Sequence, residues 1–327
     1  MYRESYVGKT VLVTGGAGFI GSHLVDRLIA DGAGQVIIVD SLFLGSEDNI
    51  QSAVAKGAIF YNEDIEYKES LEYIFDQHQV DVVFNLATKA LNYSFINPGN
   101  AFTTNVTGAI NLLELQRKGK FKSLCHFSTS EVYGTAVYEP MDEKHPKSPT
   151  TTYAAGKAAA DMAVESYVNM FDVDAFIVRP FNNYGPRQNY KGLLAGIIPI
   201  TAWRIHHNIA PEIHGAGNQS RDFIHVSDTV DAVVKLFTVM PQGESVNIST
   251  DNCCSVKTLL SKIIDHYGYT GEVLEKEARG ADVLTHNASN AKVRDMISYN
   301  LTPFDEGLAT TLDWYKMKFK DSKWTIV

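Results

Sequence analysis

Two side chains with acid–base chemistry stand four residues apart in the segment Tyr153-Ala-Ala-Gly-Lys157. On a helix this spacing places both on one face. An ordinary tyrosine has a pKa near ~10, too high for a good base at neutral pH, but an ammonium group beside it would stabilise the phenolate. Thr129 lies upstream and would hold a substrate hydroxyl in line with the tyrosine. These residues predict a site that oxidises a hydroxyl group, with Thr129, Tyr153 and Lys157 as catalytic residues.

Glu131, two residues after Thr129, adds a carboxylate to this site. A carboxylate beside an oxidation site would remove a carbon-bound proton once a newly formed ketone has acidified it. Such a residue separates an enzyme that only oxidises and reduces its substrate from one that rearranges it. Glu131 is therefore the fourth predicted catalytic residue. The competing interpretation is that its side chain only hydrogen-bonds a loop.

A glycine-rich loop, Gly15-Gly-Ala-Gly18-Phe-Ile-Gly21, precedes these residues in the chain. It follows the apolar segment Thr10–Thr14, which is typical of a buried strand, and it opens a helix. In this context the glycines let the backbone approach a pyrophosphate, and the helix N-terminus supplies N–H groups. Asp40 ends the next strand, 19 residues after Gly21, where it would bind ribose hydroxyls and repel a 2′-phosphate. The pattern predicts NAD and not NADP.

Two further segments belong to the predicted cofactor site. Asp64, in Glu63-Asp64-Ile65 after the third predicted strand, would receive the adenine amino group, and Asn85-Leu-Ala87 follows the fourth. The residues predicted to bind the cofactor, in addition to Tyr153 and Lys157, are Gly15, Gly18, Phe19, Ile20, Gly21, Asp40, Asp64, Ile65, Leu86 and Ala87.

Apolar, β-branched segments alternate with helical stretches through the first half of the chain. The predicted strands are Thr10–Thr14, Gln35–Asp40, Ala58–Tyr61, Asp81–Ala87, Phe121–Ser128 and Phe176–Arg179. Near-continuous apolar strands separated by helices indicate a parallel sheet covered on both faces. The predicted fold class is therefore α/β, with a Rossmann-like doubly wound parallel sheet.

The second half of the chain changes character after residue 180. Residues 182–199 are rich in Gly, Pro, Asn and Arg, and polar loops continue to about residue 217. Helices are predicted over Ser227–Met240, Val256–Tyr267 and Phe304–Lys318, with a strand over Val246–Ser249. We expect residues 1–180 to form an NAD-binding domain that carries the catalytic residues. Residues 181–327 would form mainly a smaller C-terminal α/β lobe that binds substrate, with segments that return to the first domain.

The composition is that of a globular protein, with 45% of the 327 residues hydrophobic and 20% charged. The formal net charge of −9 makes nucleic acid an unfavourable partner, because nucleic acids are held by neutralising phosphate. No apolar segment approaches the ~18 residues needed to cross a bilayer, and the N-terminus lacks an apolar signal segment. Cys125, Cys253 and Cys254 show no metal-ligand spacing, so no metal is expected. We expect a reduced, cytoplasmic protein without a membrane partner.

Taken together, these motifs resemble the extended short-chain dehydrogenase/reductases, and among them the NAD-dependent nucleotide-sugar epimerase/dehydratase family. The resemblance runs nearly from end to end of the chain. The segments that carry it are the glycine loop, Asn85-Leu-Ala87, Asn105, Ser128–Gly134, Tyr153-x-x-x-Lys157, Arg179-Pro-Phe-Asn182-Asn-Tyr-Gly-Pro186, Gly215–Phe223, and Arg279 followed by Asp282-Val283.

The resemblance implies a tightly held NAD, reduced and reoxidised within one turnover, and a nucleotide-diphosphate sugar as substrate. It places Asn182 and Arg221 around the substrate diphosphate, with a contribution from Arg279. Arginine suits this role because its fork of donors matches phosphate oxygens. For Arg221 the competing interpretation is a structural ion pair with Asp222.

The resemblance also implies a homodimer. Two helices per subunit, predicted over Phe102–Lys118 and Thr152–Met170, would pair across a two-fold axis. The competing interpretation is that these helices only cover the sheet within one subunit.

Three reactions of the resembling enzymes begin alike, with oxidation at C4 of the sugar, and then diverge. A 4-epimerase returns the hydride to the other face of the ketone, a 4,6-dehydratase also removes the C5 proton and expels hydroxide from C6, and a glucuronate decarboxylase loses carbon dioxide. The order Thr129-Ser130-Glu131 resembles GDP-mannose 4,6-dehydratases and UDP-glucuronate decarboxylases. The dTDP-glucose dehydratases carry Asp where this chain has Ser130, so Glu131 would perform both proton transfers, through Ser130 or a water. The prediction is a 4,6-dehydratase, with decarboxylase and epimerase as alternatives.

Lys89 is an unusual residue in the loop after the fourth predicted strand, in Ala87-Thr88-Lys89-Ala90. Close to where nicotinamide and sugar should meet, it would bind an acidic sugar or another carboxylate, and the competing interpretation is an exposed lysine. The predicted substrate-binding residues are thus Lys89, Ser130, Asn182, Arg221 and Arg279. A remote alternative for the whole chain is a dinucleotide-binding protein without catalysis; such proteins typically lose the tyrosine or the lysine, and both are present here.

Overall fold

The computed structural model describes residues 2–277 and 285–320. The β-strands are β1 (Thr10–Thr14), β2 (Gln35–Val39), β3 (Ile59–Tyr61), β4 (Val82–Asn85), β5 (Ser123–Phe127), β6 (Asp174–Pro180), β7 (Asn182–Tyr184), β8 (Glu212–His214), β9 (Ser220–His225), β10 (Ser245–Ile248), β11 (Cys253–Ser255), β12 (Leu274–Lys276) and β13 (Thr285–His286). The α-helices are α1 (Phe19–Ala30), α2 (Glu47–Ala55), α3 (Lys68–Gln77), α4 (Pro98–Arg117), α5 (Thr152–Phe171), α6 (Ile197–His206), α7 (Val226–Val239), α8 (Val256–Tyr267), α9 (Ala291–Met296) and α10 (Phe304–Lys320).

Seven strands form one parallel sheet in the spatial order β10-β6-β5-β4-β1-β2-β3. The chain builds outward from β1 through β2 and β3, and then returns to the other side of β1 with β4. In open sheets of this kind, ligands bind outside the carboxyl ends of the strands at such a reversal. The predicted α/β, doubly wound fold class is confirmed.

Successive residues of β1 pack into two different cores. Val11 and Val13 lie in a core with side chains of α1 and α7, whereas Leu12 lies in a second core with side chains of α3, α4 and α5. All three residues are fully buried. Because helices cover both faces of the sheet, its central strand β1 and the neighbouring β2 and β4 consist mainly of consecutive apolar residues.

The second half of the chain builds smaller sheets. Strand β9 pairs in parallel with β7 and β13 and antiparallel with β11, while β8 pairs with β12. Helices α6, α8 and α10 enclose a third core that includes Trp203, Leu259 and Tyr315. Segments of this half also return to the central sheet, since β10 pairs with β6 and α7 packs against α1. The predicted boundary at residue 180 stays a prediction.

Most predicted elements are present, with ends shifted by a few residues. The predicted strand Asp81–Ala87 is shorter than expected, because β4 ends at Asn85. The Leu86 N–H donates to the backbone oxygen of Thr14 at 3.1 Å and to the Thr14 hydroxyl at 3.2 Å. The Ala87 N–H donates to this hydroxyl as well, at 3.2 Å, and the loop above the sheet begins there. Within the described part of the chain, no helix is long and apolar enough to cross a membrane.

Candidate active site

The glycine loop connects β1 to α1 at the carboxyl end of the central sheet. Gly15 has a φ of 66°, and a β-carbon there would lie 2.8 Å from the Ala87 nitrogen. A β-carbon on Gly21 would collide with the Gly15 oxygen. The loop therefore has no room for side chains at these two positions, and it leaves the first N–H groups of α1 facing a ligand site.

Asp40 is held in a fixed orientation at the end of β2. Its carboxylate accepts hydrogen bonds from the backbone N–H groups of Ala17 at 2.9 Å and Leu42 at 2.8 Å. Burial raises the pKa of this carboxyl above its usual value, and these N–H groups oppose that shift. The carboxylate is thus placed where the sequence predicts contacts with ribose hydroxyls.

A cavity of about 490 Å³ opens along the carboxyl ends of the strands. It brings together the whole predicted cofactor set: Gly15, Gly18, Phe19, Ile20, Gly21, Asp40, Asp64, Ile65, Leu86, Ala87, Tyr153 and Lys157 line it. Thr129, Lys89 and Asn182 line it as well, whereas Ser130, Glu131 and Arg221 are not among the lining residues. One continuous cleft therefore spans the predicted cofactor site and part of the predicted substrate site.

Tyr153 lies in the first turn of α5. Thr151 caps this helix by accepting from the Ala154 N–H at 3.2 Å, and the Tyr153 N–H donates to the Ser94 hydroxyl at 3.0 Å. Burial raises the pKa of Tyr153 to about 12, and the nearby Glu131 charge adds to this rise, while hydrogen bonds with Thr129 and Thr88 oppose it. The protein alone therefore keeps the phenol protonated at neutral pH.

Lys157 lies one turn further along α5 and is 2% exposed. Its ammonium donates to the backbone oxygen of Phe127 at 2.8 Å. Burial lowers the pKa of Lys157 to about 8, and the charge of Asp161 opposes this fall. Lys157 thus lies on the same helix face as Tyr153, as predicted, but its ammonium points to the end of β5.

Thr88 is a site residue that the sequence analysis did not assign. Its hydroxyl donates to the Asn105 side-chain oxygen at 2.6 Å and also interacts with the Tyr153 phenol. Asn105 in turn donates to the Ala101 carbonyl within α4. Its position beside Lys89, in the loop at the carboxyl end of a parallel strand, is the sequence feature that could have indicated a site residue.

Glu131 and Ser130 lie in a short 3-10 turn, Ser130–Tyr133, capped by the Thr129 hydroxyl, which accepts from the Glu131 N–H at 3.3 Å. Glu131 is half-buried and close enough to Tyr153 to raise the pKa of its phenol. Ser130 is 3% exposed. The turn therefore brings the Glu131 carboxylate to Tyr153, while Ser130 faces the protein interior.

Lys89 is buried and lies over the Phe43 ring, with its ammonium 4.2 Å from the ring centre. The same ammonium lies 3.5 Å from a carboxylate oxygen of Asp64. Asp64 is a predicted adenine contact, so this interaction orients Lys89 toward that end of the cleft. Its predicted role in binding an acidic sugar stays a prediction.

Two of the residues predicted to hold the substrate diphosphate, Asn182 and Arg221, lie on neighbouring strands. Asn182 begins β7 and donates weakly to the backbone oxygen of Asp222 at 3.5 Å, and Arg221 on β9 donates to the Ser220 oxygen at 2.8 Å. The Asp222 carboxylate accepts hydrogen bonds from the N–H groups of Thr250 and Asp251. These bonds leave Asp222 oriented away from the ion pair that was the competing interpretation. Arg279 lies outside the described residues.

The sequence model of the NAD-dependent epimerase/dehydratase family matches residues 11–249. This span covers the glycine loop, the catalytic segments and β9. The chain belongs to this family. Members of this family are NAD-dependent nucleotide-sugar epimerases and dehydratases, so the protein is an enzyme.

Several known proteins are similar to this chain over nearly their whole length. A putative UDP-glucose 4-epimerase of Methanocaldococcus jannaschii is 35% identical over 94% of this chain and 98% of its own length. The human dTDP-D-glucose 4,6-dehydratase is 30% identical over 96% and 92%. The solved UDP-glucose 4-epimerase of Thermotoga maritima with UDP-glucose has a TM-score of 0.88 at 32% identity, covering 94% of this chain and 99% of that one.

The dTDP-glucose 4,6-dehydratase of Streptomyces venezuelae was solved with NAD bound, and it has a TM-score of 0.89 at 28% identity over 94% of this chain and 97% of that one. NAD is therefore the cofactor. The residues present fit it, because Gly15 and Gly21 leave space that a β-carbon would fill and Asp40 is oriented by backbone N–H groups.

Proposed function

We propose that this family member is a nucleotide-sugar 4,6-dehydratase, which takes hydride from C4 and returns it to C6 through a 4-keto intermediate. The observation that carries the proposal is the placement of Glu131 in the turn that Thr129 caps, close enough to Tyr153 for its charge to act on the phenol. A carboxylate at the oxidising residue is suited to remove the C5 proton, which becomes acidic once C4 is a ketone. A simple epimerase has no step that needs this carboxylate.

In this mechanism Tyr153 removes the proton of the C4 hydroxyl, and Thr129 orients that hydroxyl. Bound NAD supplies the hydride acceptor and a positive charge near the phenol. Because burial and Glu131 raise the pKa of Tyr153 to about 12, the base form depends on nearby positive charge. Lys157, on the same face of α5, is the side chain that supplies it.

Glu131 performs the remaining proton transfers. It removes the C5 proton as a carboxylate and, once protonated, donates to the departing C6 hydroxide. Ser130 is buried in the same turn, so its predicted substrate contact is best understood as a relay behind Glu131. Asn182, Arg221 and Arg279 hold the diphosphate, with the arginines as the charged donors.

We also propose that the protein is a homodimer through α4 and α5, as the resemblance implies. These helices pack against each other, and α5 leaves Met162 57% exposed and Met170 70% exposed. A second copy with the same surface would cover them. Light scattering of the wild-type protein and the Met162→Glu variant tests this; a monomeric wild-type protein would rule it out.

A second candidate is a nucleotide-sugar 4-epimerase. It is supported by similarity to the Methanocaldococcus protein, at 35% identity, and to the UDP-glucose 4-epimerase of Mycolicibacterium smegmatis, at 33%. A UDP-glucuronic acid decarboxylase of Xenopus tropicalis is 28% identical, so decarboxylation is a third candidate. Solvent hydrogen enters C5 in dehydration and in decarboxylation but not in simple epimerisation, and the first two differ in whether the product keeps the sixth carbon.

The test is incubation with UDP-, dTDP-, GDP- and CDP-sugars in heavy water, with products identified by NMR. A dehydratase gives a 4-keto-6-deoxy product with deuterium at C5, whereas an epimerase gives an inverted C4 without exchange. Glu131→Gln is expected to reduce bound NAD on substrate addition but to lose C5 exchange by about 100-fold or more. Tyr153→Phe is the matched control, which should lose the first hydride transfer too. Normal C5 exchange in Glu131→Gln would contradict the proposal.

A further inference from the structure

A buried charge cluster lies behind the oxidising residues, and the proposed reaction does not use it. Asp161 follows Lys157 by one helical turn on α5 and is fully buried. Arg179 on β6, 1% exposed, donates two hydrogen bonds to one Asp161 oxygen, Oδ2, at 3.1 Å from Nε and 2.9 Å from Nη2. The cluster thus joins the helix that carries Tyr153 to the central sheet.

Arg179 also holds the turn that carries Glu131. Its Nη1 atom donates to the Tyr133 hydroxyl at 3.0 Å and to the Ser245 hydroxyl at 2.8 Å. The Tyr133 hydroxyl in turn donates to the Asn247 side-chain oxygen at 2.7 Å. Every one of these bonds is internal, so Arg179 is fixed in place and its charge can be balanced only within the protein.

The other Asp161 oxygen, Oδ1, is buried without a hydrogen-bond partner among the residues that the structure describes. It faces His126 Nε2 at 3.9 Å. The His126 Nδ1 atom lies 3.1 Å from the amide nitrogen of Asn85, which assigns the imidazole proton to Nε2. Burial, with the charges of Lys157 and Arg179, holds the pKa of His126 well below its usual value, so this ring is neutral.

The remaining charges around Asp161 are satisfied elsewhere. Lys147 lies 3.9 Å from Asp161 Oδ2 but pairs with Glu165 at 2.7 Å. Glu143 accepts from the Asn247 N–H at 2.8 Å. Lys157, in contrast, donates to a neutral carbonyl. Asp161 is therefore the buried carboxylate on the same helix that can balance the Lys157 ammonium.

We propose that Asp161 is a positioning residue for Lys157: oriented by Arg179, its carboxylate is the buried counter-charge that keeps Lys157 in the ammonium form. A buried ammonium without a nearby anion loses its proton, because desolvation disfavours the charged form. A neutral Lys157 cannot stabilise the Tyr153 phenolate. The inference rests on the proposed roles of Tyr153 and Lys157, which all the family reactions share, and not on the choice of elimination.

The test follows the protonation of Lys157 directly. NAD-loaded protein with isotope-labelled lysine side chains is titrated by NMR, and the Lys157 signal is assigned with Lys157→Met. Without NAD, burial lowers the pKa of Lys157 to about 8, and the midpoint of the NAD-loaded wild-type protein is the reference for the variants. In Asp161→Asn the Lys157 midpoint should fall by about one pH unit or more, because this variant removes a buried negative charge that lies one helical turn away. Asp161→Glu should recover most of that shift.

Glu165→Gln is the matched control. It removes one carboxylate from the next turn of α5, where the side chain is 40% exposed, and should leave the Lys157 midpoint in place. If Asp161→Asn does not fold because Arg179 is left unpaired, the double variant Asp161→Asn/Arg179→Met removes both charges together. Its midpoint should also fall, but by less than in Asp161→Asn, because loss of the Arg179 positive charge partly offsets loss of the carboxylate. An unchanged or raised midpoint in these variants would overturn the proposal. No sugar enters the experiment, so its failure is separate from that of the proposed reaction.

Discussion

The cofactor half and the substrate half of the cleft are held together by different means. On the cofactor side, β1 pairs in parallel with β2 and with β4. Side chains of these strands pack alternately into the first and the second core, on the two faces of the sheet. The loops that bind the cofactor follow the carboxyl ends of the strands. On the substrate side, β7 and β11 have three residues each and depend on β9. There, side chains replace strand pairing: Asp222 binds the Thr250 segment, and Asp228 binds Thr302.

This difference separates what is common to the family from what can vary. The cofactor side needs glycine where a β-carbon would collide and a carboxylate at the end of β2, and these requirements follow from NAD itself. The substrate side is a set of loops fixed by side-chain hydrogen bonds, so its shape can change through single substitutions without loss of the central sheet. Epimerases and dehydratases of similar identity to this chain are consistent with that view.

The largest expected effect is on the cofactor side, from Gly21→Ala. The added methyl group would collide with the Gly15 oxygen and lie 2.9 Å from the Gly16 α-carbon, so α1 must move away from the loop. We expect NAD affinity to fall by about 100-fold or more, since overpacking costs roughly 1–3 kcal/mol and the N–H groups are displaced as well. The measurement is the NAD content of purified protein, followed by titration calorimetry.

Gly307→Ala is the matched variant on the other side. Its methyl group would collide with the hydroxyl end of Tyr184 in the third core. It should lower the free energy of unfolding by about 1–3 kcal/mol and leave the NAD content unchanged. If both variants lose NAD equally, the cofactor side and the substrate side are not structurally independent.

How far the sequence predicts the molecule follows the same division. The strands of the central sheet could be predicted because burial on both faces leaves continuous apolar segments, and the glycine loop could be placed because its spacing is tied to a strand and a helix. Tyr153 and Lys157 could be assigned from their helical spacing together with their order in the chain, after the glycine loop and after Ser128–Gly134. The position of Lys157 Nζ against Phe127 could not be predicted, because it depends on how closely α5 packs on β5.

Contacts between distant segments are the part that the sequence did not reveal. Thr88 meets Asn105 and Tyr153 from a different element, and Arg179 on β6 meets Asp161 on α5 and Tyr133 in the turn after β5. Each residue alone is a common polar type without a spacing signal. Lys89 shows the same limit, because its contacts with Asp64 and Phe43 depend on the path of two loops.

An intermediate effect is expected on the substrate side, from Arg221→Met. The Arg221 guanidinium donates to the Ser220 carbonyl, and its neighbour Asp222 is held by other groups. Loss of a charged hydrogen bond to a diphosphate costs roughly 1.5–3 kcal/mol, so the KM for the nucleotide sugar should rise about 10- to 100-fold with NAD content and Tm unchanged. Steady-state kinetics and thermal unfolding measure these.

Arg204→Met is the control for a cation in the same half. Arg204 pairs with Glu212 at 3.0 Å and donates to the Ala210 carbonyl, so its loss should lower stability slightly and leave KM in place. A KM that does not change in Arg221→Met would remove Arg221 from the diphosphate site.

The smallest expected effect is on the pH dependence of the free energy of unfolding, to which one carboxylate in each half contributes. Burial raises the pKa of Asp222 to about 6, above its ordinary value of 3.8, although Thr250 and Asp251 donate to it. The folded state therefore holds this proton more tightly than the unfolded chain does. Its stabilising contribution is present below a pH of 3.8 and is lost as the pH rises through about 6.

Glu114 on α4 has the opposite sign. Hydrogen bonds from Arg117 and Tyr167 lower the pKa of this carboxyl from 4.5 to about 2, so its contribution is present above 4.5 and is lost as the pH falls through about 2. Solvent screens this pair, so the contribution should stay below about 1 kcal/mol.

Urea unfolding of Asp222→Asn and Glu114→Gln, measured between pH values of about 2 and about 6, separates the contributions of the two carboxylates. Asp222→Asn should flatten the fall in stability between pH 3.8 and 6, whereas Glu114→Gln should leave it intact. A fall that persists in Asp222→Asn would mean that the hydrogen bonds from Thr250 and Asp251 outweigh burial, and that the carboxylate is ionised in both states.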